Sequence, residues 1–259
     1  MLRLYDIHTG EVAEVAPARP GQIRVCECVT AEGHLSDLRL RLLADIIRRA
    51  AEHRRSRVVA CSRGAVDAEG RDGTDRAPVH RAAAELNIHP LPRASRDGAD
   101  IIVRHLDGGG GQPGHESRYR VAVAAVAPEG ALGPDGATAA LERLTPGGLD
   151  PLVLRLSLLE QPYRKPVNLT GGLRGAQEKL ARWRGLVARW AEQPSRPMPR
   201  DEVAGVISAV EENLDTPAAL AALTRLAESP DVAAGAKFEA FVHLDQLLGL
   251  DLARDIGKT

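Results

Sequence analysis

The feature that most constrains this chain is a change of period near residue 137. Before it, short β-branched runs alternate with helical or turn segments; after it, the periodic stretches repeat at 3.6 residues. The opening LRLYDIHTGEVAEV reads as two strands around a turn at Thr9 and Gly10. IRVCECV, residues 23–29, suits a buried strand, and Ser36 to about His53 carries Leu40, Leu43, Ile46 and Ile47 at helical spacing. The unit then repeats: RVVAC (57–61) as a strand, APVHRAAAELN (77–87) as a helix, then DIIVRHL (100–106) and YRVAVAAVA (119–127) as strands. Alternation of this kind predicts an α/β fold, a Rossmann-like parallel sheet with helices on its faces and ligands at the carboxyl ends of its strands.

The second half predicts helices over 137–144, 149–160, 170–192, 199–213, 216–228 and 230–248, interrupted by Pro146, Pro162, Pro194, Pro217 and Pro230. Asp215 and Thr216 ahead of Pro217 form a helix start, because a side-chain oxygen accepts from the open first turn. Two domains are therefore expected: a nucleotide-binding-type domain with its hairpin over 1–136, and an α-helical bundle over 137–259. No period of a repeat protein recurs along the chain.

Composition narrows the function classes. A net charge of -1 gives no general attraction to nucleic acid or to a membrane surface. No apolar run reaches the roughly 20 residues that span a bilayer, and MLRLYDIHTGE carries charges where a signal peptide is apolar, so a cytoplasmic protein is expected. The three cysteines, Cys26, Cys28 and Cys61, are odd in number and lie in apolar runs, which points to reduced, buried thiols. No lysine precedes Lys165.

Several strings, taken in order, resemble one family. LRLYDIHTGEV, RVCECVT, GHLSDLRLRLLADIIRRAAEHR, DGADIIVRHLDGG, LDPLVLRLSLLEQPYRKPVNLT and VEENLDTPAAL are similar to successive parts of the class I cysteinyl-tRNA synthetases, and most of all to the actinobacterial cysteine ligases of mycothiol biosynthesis. The helical strings are the most specific part. The family's large insertion within the catalytic domain and its anticodon-reading module have no counterpart, so a truncated member with degenerate signature motifs is expected.

The resemblance implies a phosphate-binding turn after the first core strand, with two histidines and a glycine. Here His34 matches the first histidine, Ser36 stands for the glycine, and Asp37 takes the place of the second donor. A carboxylate cannot donate to a phosphate, and two like charges about 4 Å apart cost roughly 4 kcal/mol at an effective dielectric of about 20. The plainer reading makes His34 a loop residue and Asp37 an ordinary first-turn acid. The family's lysine-bearing loop is matched by PEGALGPDG, where Pro128, Glu129 and Asp135 replace cations; Arg118, Arg120 and Arg143 are the nearby arginines. If the site still works on a nucleotide, His34, Arg39 and Arg118 or Arg120 would hold its phosphates.

The family also implies a zinc ion that selects a substrate thiol. Cys28 or Cys26 matches the first ligand and His105 the histidine, whereas Gly109 falls where a glutamate belongs and the second cysteine's segment is missing. Adding Cys61 would complete a soft ligand set; buried structural cysteines are the plainer alternative. Neither ATP nor zinc is therefore firmly implied.

Among other features, the run Gly108 to Gly111 reads as a connection, Arg48, Arg49, Arg54, Arg55 and Arg57 as a solvated basic helix end, and Trp183 and Trp190 as core packing. Taken together, these residues lead to a synthetase-like protein that has lost catalysis and binds a small molecule or a protein partner, with no part for tRNA or a membrane. The alternative is an active ATP-dependent ligase that adenylates cysteine or a related acid.

Overall fold

The computed structural model describes residues 1–29, 35–64, 82–89, 98–106, 117–127, 150–169 and 173–258. Strands β1 (Arg3–Asp6) and β2 (Glu11–Glu14) pair antiparallel, and Gly10 at φ 75° closes their turn. The hairpin is bound into both halves of the molecule. Ile7 N–H donates to the Arg120 carbonyl at 2.9 Å, Tyr5 N–H donates to Asn213 Oδ1 at 2.9 Å, and Asn213 N–H donates to the Arg3 carbonyl at 2.9 Å.

The central sheet is formed by β3 (Gln22–Val29), β4 (Arg57–Gly64), β5 (Ala99–His105) and β6 (Ser117–Val123), all parallel in the order β4-β3-β5-β6. Ile23, Val25 and Val29 alternate on one face of β3 and belong to the main core with α1 (Leu35–His53). The β-run anticipated through residue 127 stops at Val123. Val126–Ala127 (β7) leaves the sheet to pair in parallel with Val167–Asn168 (β8) in the second half.

Helix α1 has no solvated face over most of its length. Sheet and C-terminal helices enclose it, and Ser36, Asp37, Arg39, Arg41 and Asp45 are buried along with its leucines and isoleucines. Its polar positions are internal cross-links. Asp45 Oδ2 accepts from Arg155 Nη2 at 2.8 Å and from Arg49 Nε at 2.7 Å, and Asp45 Oδ1 accepts from Arg48 at 2.7 Å. The expected solvated basic end is corrected at two of its five arginines: Arg48 and Arg49 are half-buried and hold Asp45, whereas Arg54, Arg55 and Arg57 are exposed, with Arg54 paired to Glu211. The cause is that the helix end meets a second layer of helices, which a local pattern cannot register.

Helices α2 (Pro151–Leu159), α3 (Leu173–Ala191), α4 (Arg200–Glu211), α5 (Thr216–Glu228) and α6 (Ala234–Leu248) form the C-terminal part, close to their anticipated spans. The stretch 137–144 lies outside the described residues, and of 77–87 the described residues 82–85 are helical. Asp150 and Asp215 cap α2 and α5 by accepting from Leu152 N–H at 2.9 Å and Ala218 N–H at 3.0 Å. Trp183 and Trp190 are buried and meet Phe241 edge-on, with centroids 6.3 and 5.1 Å away. Gly249 ends α6 at φ 67°, and a Cβ there would lie 2.8 Å from Arg155 Nη2, so its lack of a side chain leaves room for that guanidinium.

Candidate functional site

In the strand order β4-β3-β5-β6 the chain leaves β3 toward one neighbour and returns to β5 on its other side. A crevice at the carboxyl ends of β3 and β5 follows from that reversal. The first turn of α1 and the last residue of β5 meet there: Asp37 Oδ1 and His105 Nε2 are 2.8 Å apart. The Asp37 side chain is 0% exposed and the His105 side chain 15%. Ser36 Oγ accepts from Val126 N–H at 3.0 Å, which fixes the helix start against β7.

This arrangement alters what each candidate can do. The start of a helix favours an anion. Asp37 already supplies one there, buried and hydrogen-bonded to an imidazole. His34 lies outside the described residues, as do Gly109, Arg143 and the loop PEGALGPDG. Arg39 reaches into the join between the sheet and the helices that follow it. Its guanidinium donates to the carbonyls of Ala124 at 2.8 Å, Pro162 at 2.8 Å and Lys165 at 2.7 Å. Burial lowers its pKa to about 10, so it stays charged at neutral pH while serving backbone oxygens. Arg118 sits near the amino end of β6, which begins at Ser117, and Arg120 at its middle, so neither is at the carboxyl end. Arg118 donates at 3.4 Å to the Ala16 carbonyl, and the backbone N–H of Arg120 donates to Asp6 Oδ1 at 2.9 Å.

The zinc candidates are divided by the sheet. Cys26 is in register with Ile102, and Glu27 with Val103. Alternation therefore puts Cys26 and Cys28 on one face and His105 on the other, the side of α1. Cys26 is also bonded to Cys61 in a disulfide, which removes two thiolates. This corrects the expectation of three reduced thiols: β3 and β4 set Cys26 and Cys61 directly opposite each other with Cα atoms 4.6 Å apart, within the span a disulfide bridges. Cys28 lies outside that bond. Among the described residues no group of three or more His, Cys, Asp or Glu side chains could hold a metal ion, so these residues do not fit the family's zinc. Unfolded without reductant, the chain is expected to titrate one thiol with a disulfide reagent, and three after reduction, the full cysteine count. Three thiols before reduction would show the pair to be open.

Sequence reasoning passed over a second buried charge pair near the crevice. Arg41 Nε on α1 lies 3.4 Å from Glu27 Oε1 on β3, and both side chains are almost fully enclosed. The signal was present: a glutamate inside the apolar run IRVCECV is an anomaly that demands a cation beneath the sheet. Tyr163 and Asn213 were likewise read only as parts of matching strings. Tyr163 OH donates to Asn213 Oδ1 at 2.7 Å, and burial pushes the phenol up to about 12.

A parallel sheet with a crevice at its switch point and helices behind it is the class I synthetase type of Rossmann-like fold. In sequence the chain is similar to ligases of one name. It is 29% identical over 198 residues to the L-cysteine:1D-myo-inositol 2-amino-2-deoxy-alpha-D-glucopyranoside ligase of Thermobifida fusca, covering 70% of this chain and 47% of that one. The ligase of the same name from Nocardiopsis dassonvillei is 31% identical over 167 residues, 60% of this chain and 40% of its own length. That of Streptomyces griseus is 44% identical over 81 residues, 31% of this chain and 19% of its own. The chain thus spans less than half the length of these curated relatives. No family model matches it. Among the described residues no helix is long and apolar enough to cross a membrane.

Proposed function

We propose that this protein is a synthetase-like scaffold that has lost amino-acid adenylation and acts by binding, with a small molecule or a protein partner at the carboxyl-end crevice. The Asp37–His105 pair carries this reading. A buried carboxylate, hydrogen-bonded to an imidazole, fills the helix start where an adenylating enzyme of this fold needs a seat for phosphate. The engagement of Arg39 by carbonyl oxygens supports the same conclusion, since it leaves the crevice without that cation. Calorimetric titration of ATP and of cysteine into the protein is expected to show affinities no tighter than millimolar. Saturable ATP binding in the micromolar range would overturn the proposal.

The names of the relatives favour a second reading, an ATP-dependent ligase that joins cysteine or a related acid to an amine. It requires amino-acid-dependent exchange of pyrophosphate into ATP. No exchange with any of the common amino acids is expected.

A further inference from the structure

At the amino ends of the strands, opposite the Asp37–His105 crevice, lies a cavity of about 390 Å³ whose lining includes Arg19, Arg24, Asp100, Ser117 and Arg118. The sheet register sets Arg24, Asp100 and Arg118 side by side on β3, β5 and β6. Among the described lining residues Arg19, Arg24 and Arg118 are the cations and Asp100 the carboxylate. Asp100 is committed to the backbone: its Oδ1 accepts from Ala18 N–H at 2.8 Å and its Oδ2 from Arg24 N–H at 2.8 Å. It thereby fastens the loop that carries Arg19 against the start of β5.

The lining retains unused donors. Arg118 gives its carbonyl neighbour only a 3.4 Å contact, and the Arg19 side chain forms no ion pair with any described residue. Ser117 Oγ is buried and has no hydrogen-bond partner among the described residues. A buried hydroxyl without a partner is a cost that a bound acceptor would remove. Guanidinium forks suit an oxyanion with several acceptor oxygens, and the volume lies at the small end of ligand sites.

The geometry points to a binding site for a small dianionic oxyanion, inorganic phosphate or a compact phosphate monoester, held by Arg19, Arg118 and Ser117 with Arg24 behind them. This explains Arg118 without the nucleotide, because it stands at the wrong end of its strand to serve the crevice. The site owes nothing to the reading of the Asp37–His105 pair.

Inorganic phosphate and glycerol phosphate, titrated separately into the intact protein at low salt by calorimetry and by phosphorus NMR line width, test the assignment. Saturable binding is expected for both. Arg19→Ala and Arg118→Ala change exposed side chains, so both variants should keep the parent's thermal midpoint in the absence of phosphate. Each should weaken binding by about tenfold or more, the loss expected for one charge-assisted contact. Arg225→Ala, an exposed arginine of α5, should bind as the parent does. No saturable binding by the parent, or equal affinity in the Arg19→Ala/Arg118→Ala double variant, would overturn the assignment.

Discussion

Arg155→Ala is expected to lower the unfolding free energy by about 3–5 kcal/mol, the range found when one member of a buried ion pair is removed. Arg155 is fully buried on α2, and its guanidinium joins three segments. Nη2 donates to Asp45 Oδ2 on α1 at 2.8 Å, Nε to the Leu248 carbonyl at the end of α6 at 2.7 Å, and Nη1 to the Leu86 carbonyl at 2.8 Å. Alanine would leave a buried carboxylate short of one cation and two buried carbonyls without their donor. Lysine should not rescue the loss, since one ammonium cannot reach three acceptors arranged as a fork. Urea unfolding of the two variants beside the parent measures this. A loss below about 1 kcal/mol for Arg155→Ala would place it among ordinary surface substitutions and refute the cross-link.

The same network has a pH signature. Burial alone would raise the Asp45 pKa, but Arg155, Arg49 and Arg48 outweigh it and hold the carboxyl below its ordinary value. A folded pKa below the unfolded one gives stability that is complete above the unfolded value of about 4 and is lost as pH falls through the lowered folded value. Asp245 acts in the opposite sense, because burial raises it, so the parent's profile alone mixes the two. The difference between parent and Asp45→Asn isolates the first. It should be large at pH 7 and shrink below about pH 4; a difference that does not change with pH would contradict the assignment.

The second large effect is expected at Arg39. If it held a nucleotide phosphate, Arg39→Ala would leave stability nearly unchanged and abolish ATP binding. As it donates to the carbonyls of Ala124, Pro162 and Lys165, the substitution should instead cost about 2–4 kcal/mol of stability, from several buried acceptors left unpaired together with a small cavity. Thermal and urea unfolding, set against ATP titration of the same variant, separates the two roles. A fully stable Arg39→Ala protein with an altered nucleotide affinity would restore the catalytic reading of that residue.

Arg39 also ties down the string QPYRKPVNLT. Pro162 and Lys165 supply two of its acceptors, Tyr163 reaches Asn213 in the EENLD string, and Val167 of β8 pairs with Val126 of β7. These matching strings are the two sides of one joint between the sheet and the helices.

Periodicity by itself determined the strand and helix order, since alternation at two and at 3.6 residues depends only on which side chains are apolar. It placed β3, β5, α1 and the C-terminal helices close to their observed bounds, and the caps at Asp150 and Asp215 rest on equally local chemistry. The candidate site was legible only as a set of names. The resemblance brought His34, Asp37 and Arg39 into one nucleotide pocket, and Arg118 and Arg120 joined them only as arginines close in sequence to the matched loop. The tertiary structure decided which end of the sheet each one occupies: Asp37 with His105 at the carboxyl ends, Arg118 at the amino ends, and Arg39 inside the joint. It also decided that the polar positions of α1 are interior. A pattern of charges looks the same whether it faces water or a second layer of protein, and only long-range packing, which fixes what lies opposite each side chain, distinguishes the two.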